Sequence, residues 1–178
     1  EFLCTAVRDG DEWVINGEKW FASHARFAAF LLVMVVTDPD APIHKGASIF
    51  LVEQGTPGMD IIRNSAVGPY IEQGDGVHAY INFKDCRVPA HNLLGEEGEG
   101  FLVAQTRLGG GRVHHAMRTV GVIRKALDMM CERAVSRQTK GERLADKQMT
   151  QEKIADSYTM MMQYRLHVLY TAWLIDKH

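Results

Sequence analysis

The chain has 178 residues, 46% of them hydrophobic and 24% charged, which is the balance of a globular chain with room for one ordinary domain or a small domain and part of another. A formal net charge of −2 provides no global basic field to recruit nucleic acid, and the longest apolar stretch, Phe27 to Val36, is too short to span a bilayer. Three widely spaced cysteines, Cys4, Cys86 and Cys131, offer neither a disulfide framework nor a zinc spacing, so a reducing compartment and no metal site are expected.

The first residues, Glu1-Phe2-Leu3-Cys4, lack a basic region followed by an apolar core, so no signal peptide is read there. They look like the interior of a strand, which suggests that the natural start lies upstream. The strand Phe2 to Val7 leads to a turn at Asp9-Gly10-Asp11. Trp13-Val14-Ile15 then meets Asn16-Gly17, a strong hairpin signal that makes Lys19-Trp20-Phe21 the expected return strand. Phe30 to Val36, apolar throughout, predicts a central strand. Residues 37–42 are a loop by their Pro and Asp content. Ser48 to Val52 is the next strand, closed by Thr56-Pro57-Gly58. Met59 to Ile62 and Val77 to Phe83 complete the set. Strands at this spacing predict an antiparallel β-barrel or sandwich over residues 1–92.

The hydrophobic period changes near Gly98. Ala116, Val120, Ile123, Leu127, Met130 and Ala134 recur at steps of three and four, one face of a long helix. Gly109-Gly110-Gly111 lies inside that helix and weakens it locally, by about 1 kcal/mol per Gly against Ala. After a polar connection over residues 139–148, a second helix is expected from about Gln151, with a stripe of Ala155, Thr159, Met162, Leu166, Leu169 and Trp173. Residues 93–178 are thus expected to form two long antiparallel helices of an incomplete bundle, which need further helices or another subunit to cover them. The fold class is α+β.

Several segments, taken in order, carry a resemblance. They are Val14-Ile15-Asn16-Gly17-Glu18-Lys19-Trp20-Phe21, Thr37-Asp38-Pro39, Phe50-Leu51-Val52-Glu53, Thr56-Pro57-Gly58, Arg87-Val88-Pro89, Asn92-Leu93-Leu94-Gly95-Glu96 and the run Gly95 to Phe101. Together they resemble the flavin-dependent acyl-CoA dehydrogenases, from the middle β domain into the first part of the C-terminal helical domain. Leu108 to Met117, continued by Arg118, is similar to the branch called family members ten and eleven. The resemblance implies that the family's N-terminal helical domain and its later C-terminal helices are not within these residues.

The resemblance also implies roles for particular side chains. The family's Trp-Ile-Thr flavin loop corresponds to Phe21-Ala22-Ser23. Phe21 keeps an aromatic face, and Ser23 keeps a hydroxyl that can bond to the flavin near N5. Trp20, one position earlier, is also implied to be a cofactor-binding residue, though strand alternation is expected to point it to the opposite side. In the family's Arg-x-x-Phe-Gly-x-x-Leu pattern the Arg is Arg137, Lys140 replaces the Phe, and Gln148 supplies the later Gln. These residues are implied to hold the pyrophosphate and adenine end of FAD in a neighbouring subunit, where an Arg fork suits a pyrophosphate. Gln105, Leu108 and Arg112 are implied to line the thioester channel. Gly111 stands where a few subfamilies carry the catalytic Glu, so no catalytic residue is assigned here and the general base is expected to be a Glu further along. Residues alone leave packing roles open for Phe21 and Ser23, and a solvated basic connection for residues 137–148.

The implied activity is FAD-dependent α,β-dehydrogenation of acyl-CoA thioesters to enoyl-CoA, as part of a larger homotetrameric or homodimeric enzyme, with electrons passed to an electron-transfer flavoprotein. The compartment implied is a bacterial cytoplasm or a mitochondrial or peroxisomal matrix. An acyl-CoA oxidase or another flavin enzyme of the same fold, and a non-catalytic oligomerisation piece, are the alternatives that sequence leaves standing.

Overall fold

Side chains that alternate between apolar and polar build the first half of the chain into a sheet, and a switch to helical spacing near residue 100 builds the second. The computed structural model describes residues 3–65 and 78–177. These form two compact units, one up to Thr106 and one from Arg107. Phe2 and Val77, the expected first residues of two strands, lie outside the described residues.

In the first unit the strands are β1 (Thr5–Asp9), β2 (Glu12–Ser23), β3 (Phe30–Val36), β4 (Ala47–Glu53), β5 (Met59–Asn64) and β6 (His78–Pro89), with a single helical turn α1 (Ile43–Gly46) before β4. They form one six-stranded sheet in the order β4-β3-β1-β2-β6-β5. Neighbours are antiparallel except β1 and β3, which meet in parallel at Thr5 and Val36. The expected β-rich half of an α+β fold is therefore present. Barrel or sandwich is too loose a description: the sheet is single and open, with β4 and β5 at its edges. It curls enough to bring Trp13 of β2 within 5.2 Å of Phe50 of β4, ring centre to ring centre. The segment after β6 then crosses to the β4 edge, where Leu94 N–H donates to the Ile49 carbonyl and the Asn92 amide to that of Leu51.

One face of the sheet carries the core. Trp13, Ile15, Val33, Val35, Phe50, Val52, Ile81, Phe83, Cys86 and Val88 are all buried there. Phe30 and Leu32, on alternate positions of β3, stay exposed, so this strand, interior to the sheet between β4 and β1 as expected, buries only one of its faces.

The hairpin expected at Asn16-Gly17 is not made. The chain runs straight through it, and β2 is a single strand of 12 residues. The turn lies earlier, at Gly10-Asp11, between β1 and β2. Asn16-Gly17 is instead an irregularity in the β2–β6 ladder, where pairing passes from Ile15↔Cys86 to Gly17↔Phe83. Two residues of β6 there oppose one of β2. Asp85 takes φ 48°, and its N–H donates to the Asn16 side-chain carbonyl at 2.8 Å. Gly17 has φ 127°, and a Cβ on it would lie 2.6 Å from the Cα of Cys4. Close approach of the segment entering β1, and not a turn, is what requires glycine here.

The helix α2 (Gly100–Ser136) begins in the first unit and continues into the second. Its start is pressed against β4: a Cβ on Gly100 would lie 2.8 Å from the Ala47 carbonyl oxygen, and Gly98 N–H donates to the buried Ser48 hydroxyl. The three successive glycines remain helical, with open space beside Gly109 and Gly110.

In the second unit α2 is followed by a small hairpin, β7 (Gln138–Thr139) and β8 (Glu142–Arg143), and then by α3 (Gln148–Lys177). The hairpin stands where a plain polar connection was expected. The stripe predicted on α2 is the one observed, with Val120, Leu127 and Ala134 buried. On α3 the prediction is one to two positions out. The inward line is Ile154, Ser157, Met161, Tyr164 and Val168, whereas Leu166 and Trp173 are 59% and 48% exposed. The Tyr164 hydroxyl donates to the Ala116 carbonyl across the antiparallel helix pair.

Candidate functional site

The face of β2 and β6 away from the core assembles a cluster of aromatic and polar side chains. Residues directly opposite in an antiparallel pair share a face. Ser23 lies opposite His78 and Glu18 opposite Asn82, all on the outer face, while Lys19 opposes Ile81 and Ala22 opposes Ala79 on the core side. Between these pairs the register shifts, and two residues of β2, Trp20 and Phe21, face the single residue Tyr80. The shift is a β-bulge. Phe21 takes φ 56°, a conformation that a bulky side chain adopts rarely.

The bulge overrides strand alternation. Trp20 and Phe21 do not point to opposite sides. Their rings stack on one another, 5.2 Å apart and 12° from parallel, and are 59% and 50% exposed. Tyr80 meets Trp20 edge-on at 6.0 Å, and the Arg63 guanidinium of β5 lies over both rings, 5.8 Å from Trp20 and 5.1 Å from Tyr80. The Trp20 indole N–H donates to the buried Ser65 hydroxyl. The Tyr80 hydroxyl bonds to the Glu18 carboxylate, and that bond raises its pKa above the usual phenol value. Burial draws the Lys19 ammonium below its ordinary value. At the end of the cluster, Ser23 Oγ lies 2.9 Å from His78 Nδ1. The arrangement is a stacked, half-exposed pair of aromatic rings with a hydroxyl at one end of the cluster. β1 covers only the first part of β2, and beyond it a cleft of about 250 Å³ opens between β2 and β3, lined by Lys19, Trp20, Leu32 and Met34 among others.

The remaining residues singled out from sequence are on helices and the hairpin. Gln105 is half-buried on the first turns of α2, in the first unit. Leu108 and Arg112 belong to the second unit and, with Arg107, His114 and His115, line an open groove along α2. Arg137 follows the last residue of α2, Lys140 occupies the hairpin turn and Gln148 opens α3; all three are exposed. Lys140 and Gly141 both have positive φ, 54° and 81°, the geometry of a two-residue turn whose twist matches its strands. Asp146 pairs with Arg143 at 2.8 Å, and that partner holds its carboxyl below the usual range. Motif reading passed over His78, Tyr80, Arg63 and Ser65. They come from β5, the residue just after it, and β6, 40 or more residues away in sequence, with no local pattern of their own. Among the described residues no cluster of three or more His, Cys, Asp or Glu could hold a metal, and no helix is long and apolar enough to cross a membrane.

A six-stranded sheet of this order followed by a long helix starting on its edge strand is an arrangement shared with solved structures of one family. The chain belongs to the acyl-CoA dehydrogenase family: residues 2–86 match the family's middle domain and residues 98–178 its C-terminal domain. Members of this family are FAD-dependent oxidoreductases. Among its relatives, the chain is 43% identical to "Probable acyl-CoA dehydrogenase FadE2" of Mycobacterium tuberculosis, over 98% of this chain and 43% of that protein. It is 39% identical to acyl-CoA dehydrogenase family member 11 of Mus musculus, over 97% of this chain and 23% of that protein. The solved structure of butyryl-CoA dehydrogenase from Megasphaera elsdenii superposes with a TM-score of 0.75 at 29% identity, over 95% of this chain and 43% of that one. The chain thus spans less than half the length of these relatives.

Proposed function

We propose that the chain is the flavin- and thioester-facing part of an enzyme that dehydrogenates acyl-CoA thioesters between Cα and Cβ. Residues 1–92 serve as the middle β domain and 93–178 as part of the helical domain. The observation that carries this reading is the stacked, exposed pair Trp20 and Phe21 beside the Ser23 hydroxyl. A planar apolar surface with one polar edge fits a planar ring system whose rim carries nitrogen and oxygen. FAD, when bound, supplies the acceptor for the hydride that leaves Cβ.

In this reading Trp20 and Phe21 pack beside the ring and Ser23 donates a hydrogen bond to its edge. Arg137, Lys140 and Gln148 hold the pyrophosphate and adenine end for a neighbouring subunit. Arg137 contributes a bidentate fork and Lys140 a point charge. Gln105, Leu108 and Arg112 line the thioester side. The α-proton goes to a carboxylate outside these 178 residues, since Gly111 has no side chain to receive it. The partners are an electron-transfer flavoprotein and further copies of the chain, in a homotetramer or homodimer, in a bacterial cytoplasm or an organelle matrix.

The test is anaerobic titration of the full-length protein with acyl-CoA thioesters while flavin absorbance is followed. Bleaching is the expected result. A yellow protein that no thioester bleaches would remove the thioester reading, and a protein that FAD cannot reconstitute would remove the flavin reading. Residues 1–178 alone are expected to give no turnover.

A further inference from the structure

His78 stands directly across the ladder from Ser23, and their side chains meet at 2.9 Å on the exposed outer face. A serine hydroxyl has one proton and two lone pairs, whereas imidazole Nδ1 offers either a proton or a lone pair. If Nδ1 accepts, the Ser23 proton is spent on the histidine and Ser23 presents only lone pairs to a ligand. If Nδ1–H donates, the Ser23 proton is released to point outward. Serine also lacks the second Cβ substituent that restricts threonine, so its hydroxyl needs an outside partner to hold one direction. His78 is itself well held: Phe21 meets its ring edge-on at 6.3 Å, and its carbonyl accepts from Ser65 N–H at 2.7 Å.

We propose that His78 is a positioning residue that sets the direction of the Ser23 proton. Its Nδ1–H donates to Ser23 Oγ, and the Ser23 O–H is thereby turned out as a donor to the ring edge of the flavin. The inference rests on the flavin reading of Ser23, and its test separates the two.

The experiment is a double-mutant cycle on the full-length protein, read by FAD dissociation constant and by the visible absorption bands of the bound flavin. Ser23→Ala and His78→Phe are each expected to weaken FAD by about tenfold, the worth of one hydrogen bond to a ligand, and to shift the same absorption band. The double variant is expected to lose no more than either single one. His78→Asn, which places an amide N–H where Nδ1 stood, is expected to restore affinity and spectrum; His78→Asp, which places only an acceptor there, is not. Multiplying effects in the double variant would overturn the proposal, as would an Asp variant equal to the Asn variant. The Asn and Asp pair decides the matter if the Phe variant does not fold. A Ser23→Ala protein with unchanged FAD affinity and spectrum would remove the flavin reading of Ser23, and this proposal with it.

Discussion

Single residues of the sheet differ in what they can react with. Cys4 and Cys86 lie in the core, and burial raises both thiols, that of Cys86 to about 11. Cys131 is half-buried on α2. Under native conditions a thiol reagent is expected to label Cys131 and to reach Cys4 and Cys86 only after denaturation; mass mapping of the modified peptides checks this. The same shift links stability to alkali. Between the ordinary thiol value of 9.0 and about 11, the unfolded chain ionises Cys86 and the folded chain does not, so this contribution is intact below pH 9 and lost as pH rises through 11. Urea midpoints that fall over that range in the parent and fall less steeply in Cys86→Ala are the expected result. Gly17→Ala should cost on the order of 3 kcal/mol, since φ 127° and the Cys4 backbone at 2.6 Å both refuse a side chain. A thermal midpoint within a degree of the parent would refute that account.

Elements were legible in the sequence where one face is buried and the other is wet. The line from Ala116 to Ala134 on α2 follows from periodicity because burial selects one face there, whereas β3, apolar at every position, is legible as a strand without showing that Val33 and Val35 are its buried side. Asn16-Gly17 misled because the dipeptide that makes a hairpin turn also makes a bulge. What decides between them is the Cys4 backbone pressed on Gly17 and Asp85 bonding Asn16 from 69 residues away, both non-local. α3 misled for another reason: Met160, Met161, Met162, Leu166, Val168, Leu169, Tyr170 and Trp173 leave it apolar on most sides, so its period does not single out one face. In the site, Trp20, Phe21 and Ser23 could be found from a motif, while His78, Tyr80 and Arg63 could be found only from strand pairing. The β7–β8 hairpin adds a prediction. Lys140 holds φ 54°, which asparagine tolerates better, so Lys140→Asn should stabilise the chain by about 0.5–1 kcal/mol in denaturant unfolding. If FAD affinity of the full-length protein falls in the same variant, the charge of Lys140 also serves the phosphates.

At the scale of the whole molecule, apolar surface is left in the open. Leu166, Leu169, Tyr170, Trp173 and Ile175 are exposed on α3, and Phe30 and Leu32 on β3. Contiguous apolar patches on a soluble chain mark association surfaces. Residues 1–178 are therefore expected to self-associate when isolated. Leu166→Lys with Trp173→Lys should raise solubility and leave helical circular dichroism unchanged; loss of helicity would mean that these side chains are internal to the fold. The relatives that this chain matches are more than twice its length, which is in keeping with further surface to cover these patches.

The bulge in β2 has one more implication. Lys19 pairs with Ile81, Ala22 with Ala79 and Ser23 with His78, and Tyr80 alone faces Trp20 and Phe21. A chain lacking Phe21 would zip into a regular ladder, with Trp20 across from Tyr80 and every later pair unchanged. The sheet has no need of that residue, and its left-handed backbone is a strain that deletion would relieve. In the proposed reading Phe21 is a surplus letter that the scaffold carries for the ring lying on it, and deleting that one residue is expected to remove one ring of the stacked pair while leaving a sturdier sheet.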